Sequence, residues 1–480
     1  MDEQKTRTCP LLDMITYSLG ECANSLVLNS LFGFAMLYYT DALGLNPSLA
    51  GIAIFIAIFW DAISDPIMGH ITDNTRSRFG KRHIYLFFGG LLMAVGLFFV
   101  WYVPGVFKSS AKTLFVYLVV ANLTVRTGFT AFFISYTALG FEMCTDYNGR
   151  TKLQGIRGAM NMAANFCGPA LAWAIFFNSN EVVRATSVAK NYVYMGSVFS
   201  LAVLVFVLCV VLFTLKYMHD SRQMQFSGKG IKAFVVDMKE IITDVYPRWV
   251  FAYIFVVQLG VALVAGFQMY VFEHFMVLSG IKKSIAHGGT MLGFGLGAMM
   301  ASIVTRWFDK RGAVCAGGFL SIFCEVLLAA LFLPGILKPG QTFDIAGFSI
   351  PFAFIVFTFF HSAYWLGNGI MFPIATSMMA DVSEIYEIKT GINKDGAYAA
   401  VFTFTTKCAL AIGSLFVGCC LDIIGFKAGA EHGQTLAVLW RMCAMTMLVG
   451  PLVSLGSLAL IRKYPVNKAF IEELRKETNS

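Results

Sequence analysis

Apolar residues in this chain run in long blocks separated by short polar stretches. A window of roughly 19 residues, the length of helix needed to cross a hydrocarbon core of about 30 Å, finds twelve such blocks. They lie at 13–40, 48–70, 83–104, 112–141, 153–178, 191–217, 247–279, 283–306, 313–335, 348–380, 397–426 and 433–462. Inside lipid every backbone N–H and C=O must be satisfied within the segment, so runs of this length predict helices. The strict alternation of apolar and polar residues that a β-barrel needs is absent. The pattern predicts an all-α membrane protein with 12 transmembrane helices.

Composition agrees. Of 480 residues, 57% are hydrophobic and 13% charged, too little charge to cover a soluble protein of this length. The first ten residues are polar. The apolar run after them is too long for a signal-peptide core and lacks a small-residue cleavage site, so we expect no cleavable signal peptide. With the N-terminus inside, most of the 36 Lys and Arg fall on the cytoplasmic side. That asymmetry is the positive-inside rule, and it puts both termini in the cytoplasm. It also accounts for the net charge of +8 without a nucleic-acid partner. The 11 cysteines show no C-x-x-C pattern. Cys144 and Cys315 fall near span ends, whereas Cys167, Cys324, Cys408, Cys419 and Cys420 lie inside apolar runs and read as small buried residues.

The longest polar connector, 218–246, divides the spans into an N-terminal bundle (1–217) and a C-terminal bundle (247–462), followed by a tail (463–480). Basic turns recur at matching places, after span 2 (Asp73, Arg78, Gly80, Lys81) and after span 8 (Asp309, Lys310, Arg311, Gly312). This repeat predicts two similar six-helix halves that alternate about a central site. With Arg150, residues Asp73, Arg78, Gly80, Lys81, Asp309 and Arg311 are the candidate gating loops.

A charge at mid-bilayer costs at least ~2.5–3.5 kcal/mol, so each one asks for a reason. Asp61 and Asp65 are four apart in span 2 and stack on one helix face. They repel unless a cation or proton lies between them. Pro66 leaves the Ala62 carbonyl without its helical donor beside the pair. Lys407, in span 11, wants a carboxylate partner, and the acidic residues at comparable depth in the other half are Asp61 and Asp65. Arg157, between Gly155 and Gly158, either clamps the inner gate or contacts solute. Arg126 shares a helix face with Phe133 and either puts positive charge in the solute path or serves an internal ion pair. Glu325 and His361 are also intramembrane, placed to pair structurally or to relay protons. No G-x-S-x-G, P-loop or H-E-x-x-H motif occurs, so we expect a transporter and not an enzyme. Gly293-x-Gly295-x-Gly297 reads as close helix packing.

Trp60-Asp-Ala-Ile-Ser-Asp-Pro-Ile-Met-Gly69, followed by Asp73-Asn-Thr-Arg-Ser-Arg-Phe-Gly-Lys81, resembles the span-2 signature of the glycoside–pentoside–hexuronide:cation symporters (melibiose permease-like) of the major facilitator superfamily. The likeness extends through Tyr17-x-x-Gly20-Glu21, Tyr39-Thr-Asp41, Tyr136 to Arg157, and Met379-Ala-Asp381 to Lys407. It implies the major facilitator fold, two pseudo-symmetric six-helix bundles, in a multi-pass protein of the bacterial inner membrane, functional as a monomer with lipid around it. It implies a coupling ion, H+ or Na+, held by Asp61 and Asp65 with Thr403 and Lys407 completing or flanking the site; if the ion is sodium, the two aspartates are the metal ligands. Arg157 matches the family's helix-5 arginine.

The departures bear on specificity. The family's sugar-binding aspartate of helix 1 is replaced by Ser25 and that of helix 4 by Phe133. The sugar-stacking aromatic becomes Thr137, and a helix-10 Trp becomes Phe372. These positions, with Arg126, Arg157 and Lys407, are the candidate solute-binding residues. A missing carboxylate weakens the case for sodium, which prefers several oxygens. Ser25 together with Arg126 favours an anionic solute such as a hexuronide or sulfonated sugar. The expected activity is therefore cation-coupled symport of a small sugar or glycoside. A sodium-coupled lysolipid symporter and a non-transporting solute sensor are the alternatives.

Overall fold

The computed structural model describes residues 9–144, 146–177, 184–218, 231–345, 348–430, 433–466, 470 and 473–474. The chain forms two compact units, Met1–Ile231 and Lys232–Ser480.

In the first unit the helices are α1 (Leu11–Leu37), α2 (Pro47–Asp73), α3 (His83–Trp101), α4 (Ala111–Met143), α5 (Tyr147–Leu171) and α6 (Ala189–Thr214). Wider, five-residue turns extend α1 to Ala42 and α5 to Phe176. Polar residues at the helix starts satisfy backbone N–H groups that have no helical acceptor. Asn46 accepts from Ser48 and Leu49 at the head of α2, Ser110 from Thr113 at α4, and Asp146 from Gly149 at α5. α1 packs on α5 and α6, α2 on α4, and α3 on both α4 and α6. The α3–α4 approach is backbone to backbone: a side chain at Gly128 would meet the Met93 amide. One face of α3 is buried through Met93 and Leu97, while Phe87, Phe88, Leu91, Val95 and Phe99 stand exposed. An apolar outer surface suits lipid and would be costly in water.

The second unit contains α7 (Ile231–Thr243), α8 (Pro247–Tyr270), α9 (Gly280–Phe332), the hairpin strands β1 (Phe343–Ile345) and β2 (Phe348–Ile350), α10 (Phe352–Thr390), α11 (Asp395–Ile424), α12 (Leu436–Ala444) and α13 (Gly450–Ile461). β1 and β2 pair antiparallel, Phe343 opposite Ile350. α8 packs on α11 and α13, and α9 lies along α10. Between α9 and α10, two of the glycines expected to pack closely do so: a side chain at Gly293 would run into the Ser362 carbonyl and one at Gly297 into the Leu366 carbonyl. Tyr253, Ile254, Met371, Ile374, Met378 and Val401 share one buried cluster.

Predicted spans 8 and 9 correspond to the two helical halves of α9, which meet at a kink where Asp309 (φ 56°, ψ 170°) is not helical. That conformation is rare for a residue with a Cβ and costs of order 1–3 kcal/mol. Span 10 begins only after the hairpin, because Phe343–Ile350 alternates apolar and polar residues with the period of a strand. α10 then runs to Thr390, ten residues past the predicted 380. Part of the polar connector is helical, as α7; its residues 219–230 lie outside the described ones. All 11 cysteines are free. Cys324 is buried as expected, but Cys167 is exposed and Cys408, Cys419 and Cys420 are half-buried; of the two near span ends, Cys144 is buried and Cys315 half-buried. Among the described residues, eight helices are long and apolar enough to cross a membrane. α1, α5 and α10 are more polar than that measure allows.

Candidate functional site

α2 and α4 bring the intramembrane charges of the first unit together. The i, i+4 spacing sets Asp61 and Asp65 on one face of α2, and the Thr130 hydroxyl of α4 lies 3.0 Å from Oδ1 of each. Ser64, between them in sequence, is 3.1 Å from the same hydroxyl. Nη1 of Arg126, one turn before Thr130, donates to Asp61 Oδ2 at 3.1 Å. Asp61 is 1% exposed and Arg126 4%. A further α2–α4 contact is made by the exposed Trp60, its indole N–H donating to Thr127 at 2.9 Å. A hydroxyl has a single hydrogen, so Thr130 donates to one carboxylate at a time. Its contact with the other is favourable when that carboxyl carries a proton or when a cation sits between the oxygens.

Arg126 thus takes the ion-pair alternative. Its Nη1 pairs with Asp61, while its buried Nε has no hydrogen-bond partner among the described residues. Phe133, two turns further along α4, stacks with Phe129 at 5.6 Å. Thr137 keeps a buried hydroxyl with no hydrogen-bond partner among the described residues.

A second cluster joins α1 and α5. Arg157 donates to Glu21 Oε1 from Nε at 2.9 Å and from Nη2 at 2.5 Å, and its guanidinium lies 4.9 Å from the Tyr136 ring centroid. Asn161 bridges Glu21 (3.2 Å) to Ser25 (3.1 Å), and the chain of amides continues through Asn165 (2.9 Å) to Asn29 (2.7 Å). Glu21, Asn161, Asn165 and Asn29 have no role in the sequence reading. An acid in span 1 at the depth of an arginine in span 5 is the signal that would have found the first of them.

The gating turns also rearrange. The hub after α2 is Arg82, which binds Asp73 (2.7 Å), Thr72 (3.0 Å) and Glu142 (3.1 Å); Lys81 reaches Glu142 more loosely, at 3.5 Å. Gly80 supplies the positive φ (71°) that the turn requires. Arg78 lies over the Phe79 ring, and Arg150 donates to the Cys144 carbonyl. In the second unit the corresponding contact is made by Lys310, at 2.6 Å from Asp381, beside the bent residue Asp309. Arg311 lines a cleft with Asp309, Arg462 and Tyr464.

Thr403, Lys407 and Phe372 belong to the second unit. Thr403 is exposed and its hydroxyl donates to the Ala399 carbonyl of its own helix. Phe372 lies between Phe294 and Phe402. Glu273 and Lys283, unnoticed in the sequence, form a buried ion pair across the α8–α9 turn. Glu325 and His361 pair with each other at 2.6 Å.

With this geometry in place, comparison with known proteins is informative. A profile described as MFS/sugar transport protein matches residues 16–468. The inner membrane symporter YicJ of Escherichia coli strain K12 is 24% identical, covering 96% of this chain and 93% of its own length. The isoprimeverose transporter of Lactiplantibacillus pentosus is 23% identical over 96% of this chain and 89% of its own. The xylose transporter XylE of E. coli shares the fold, with a TM-score of 0.58 at 14% identity over 97% of this chain and 98% of that one.

Proposed function

Because the chain belongs to the MFS/sugar transport protein family, we propose that it is a cation-coupled secondary active symporter. It moves a sugar or glycoside by alternating access and works as a monomer in the bacterial inner membrane. Twelve spans with both termini cytoplasmic remain the topology of choice.

The observation that carries this reading is the Thr130 hydroxyl held between Asp61 and Asp65 while Arg126 neutralises one of the two. A proton or a monovalent cation held between the two carboxylates offsets their mutual repulsion, so the cluster is less costly to bury when it is loaded than when it is empty. Either H+ or Na+ can fill that place. Thr403 and Lys407 keep their proposed place as completing groups, and Ser25, Phe133, Thr137, Arg157 and Phe372 their place along the solute path. With Arg126 paired, a neutral sugar or glycoside replaces the anionic one as the preferred class.

Uptake into proteoliposomes tests this directly. Neutral sugars, glycosides, hexuronides and a lysolipid are offered under imposed sodium or proton gradients, to wild type and to Asp61→Asn and Asp65→Asn. We expect concentrative uptake of a neutral sugar or glycoside under one gradient only. Both variants lose it while remaining folded in the membrane. Undiminished accumulation by both variants would remove the cation site, and lysolipid uptake without sugar uptake would replace the substrate class.

A further inference from the structure

The second unit contains a polar cluster that the proposed cation site does not use. Glu325, on the half of α9 after the bend, is 0% exposed; His361 of α10 is 1% exposed and Gln268 of α8 is 2% exposed. His361 Nδ1 lies 2.6 Å from Glu325 Oε1, and His361 Nε2 lies 2.8 Å from Gln268 Oε1. The Trp365 indole nitrogen is 3.0 Å from that same Gln268 oxygen.

This geometry determines where the hydrogens are. An indole N–H can only donate, so the Gln268 atom facing Trp365 is the oxygen, an acceptor. His361 Nε2 faces the same acceptor and must therefore carry hydrogen. The short contact at Nδ1 then needs one proton of its own. Either Nδ1–H donates to a carboxylate, or the Glu325 hydroxyl donates to a bare Nδ1. Both descriptions give a neutral pair that shares one proton. Without that proton, a lone pair on Nδ1 would face a carboxylate at 2.6 Å and the pair would carry a buried negative charge.

The surroundings raise that cost. Phe357 stacks on the His361 ring at 5.3 Å, Tyr364 stacks at 6.0 Å, and Phe272 meets it edge-on at 6.1 Å. The titratable groups in electrostatic reach are few. Cys324, Tyr364 and, from α12, Cys443 interact with Glu325, while His287 of α9 interacts with His361. His287 is itself buried, and neither of its ring nitrogens has a hydrogen-bond partner among the described residues; the same holds for Glu325 Oε2. Glu325 Oε2 is thus an uncommitted acceptor on the carboxyl that shares the proton, and His287 adds an electrostatic interaction with His361.

We propose that Glu325 and His361 form a second proton-binding site, in the C-terminal unit and separate from Asp61 and Asp65, which binds and releases one proton. Gln268 is a positioning residue that sets the imidazole tautomer through the hydrogen bond it shares with Trp365. Since the deprotonated pair is a net charge among phenylalanines, release of the proton must accompany rearrangement or hydration of the site. Protonation is thereby linked to the conformation of this unit.

The test uses the full-length protein in lipid nanodiscs with ring-labelled histidine, the His361 NMR signal being assigned by its loss in His361→Asn. In wild type the His361 signal should show a titration step. In Glu325→Gln that step should move by about one pH unit or more. Gln268→Leu, which removes the Nε2 acceptor, should also move it and serves if Glu325→Gln does not fold. An unmoved step in the folded variants, or no step in wild type, overturns the proposal in favour of a fixed structural contact. Asp65→Asn should leave the His361 step where it is, so failure here is distinguishable from failure of the cation reading. Solute counterflow in proteoliposomes supplies the second readout: its pH profile should shift in Glu325→Gln, and an unchanged profile would likewise overturn the proposal.

Discussion

Asp61 and Asp65 are understandable from spacing alone as far as sharing a helix face. What they face is not. The counter-charge is Arg126, 65 residues along the chain and 3.1 Å away, and the bridging hydroxyl is Thr130, a residue type too common in helices to draw notice. Truncating Arg126 should therefore act on coupling. Breaking a buried pair by removing one member costs about 3–5 kcal/mol, because Asp61 stays buried. Arg126→Ala should lower thermal stability and abolish gradient-driven uptake without shifting the preference between neutral and anionic solutes, measured by competition. A changed preference with coupling intact would restore Arg126 to the solute path. Thr130→Val keeps the shape and removes the hydroxyl. A hydrogen bond to a charged group contributes ~1.5–3 kcal/mol, or roughly 10–100-fold in affinity. The half-saturating concentration of the coupling ion should rise by about that factor in Thr130→Val and return toward wild type in Thr130→Ser.

At the scale of elements, hydropathy located the helices because lipid forces long apolar segments into one conformation. It erred where that constraint ends. The hairpin Phe343–Ile350 and the helix α7 lie at or beyond the ends of apolar runs. There the structure depends on local hydrogen bonds and on contacts with other segments. α7 illustrates this: Glu240 accepts from Lys394 and from Tyr386, each at 2.8 Å. Lys394 first and Tyr386 second hold its carboxyl below the usual value. A carboxyl with a depressed folded pKa contributes stability above its unfolded value and loses it as pH falls through the folded one. Acidification below the ordinary glutamate range should therefore loosen α7 and expose it to an acid-active protease. Glu240→Gln should be cleaved faster than wild type at neutral pH and show a smaller change on acidification. Equal cleavage of both proteins at both pH values would show that the contact does not hold α7.

For the whole molecule, charge distribution and repeat structure both bear on topology. Two basic turns at matching positions predict two halves with the same orientation in the membrane, and each half has its own ion-paired turn, Arg82 with Asp73 and Glu142 in one and Lys310 with Asp381 in the other. An even number of spans puts both termini on one face. Reporters active only in the cytoplasm should work at the N-terminus, at the C-terminus and within the connector near residue 225, and should fail when inserted at Gly340, in the loop before β1. Activity at Gly340, or a silent C-terminus, would require a different span count. What the sequence by itself determined was whatever depends on composition over a window: membrane residence, helix positions, the two-part organisation, the family likeness and the Asp61/Asp65 pair. These follow from the solvent and from i, i+4 geometry, which are local. The tertiary structure alone decided the partners: Arg126 for Asp61, Glu21 for Arg157, Arg82 in place of Lys81, and Glu325 for His361. A buried charge must have a partner, but any of several residues at similar depth satisfies that requirement, and the choice among them is made by which helices pack together.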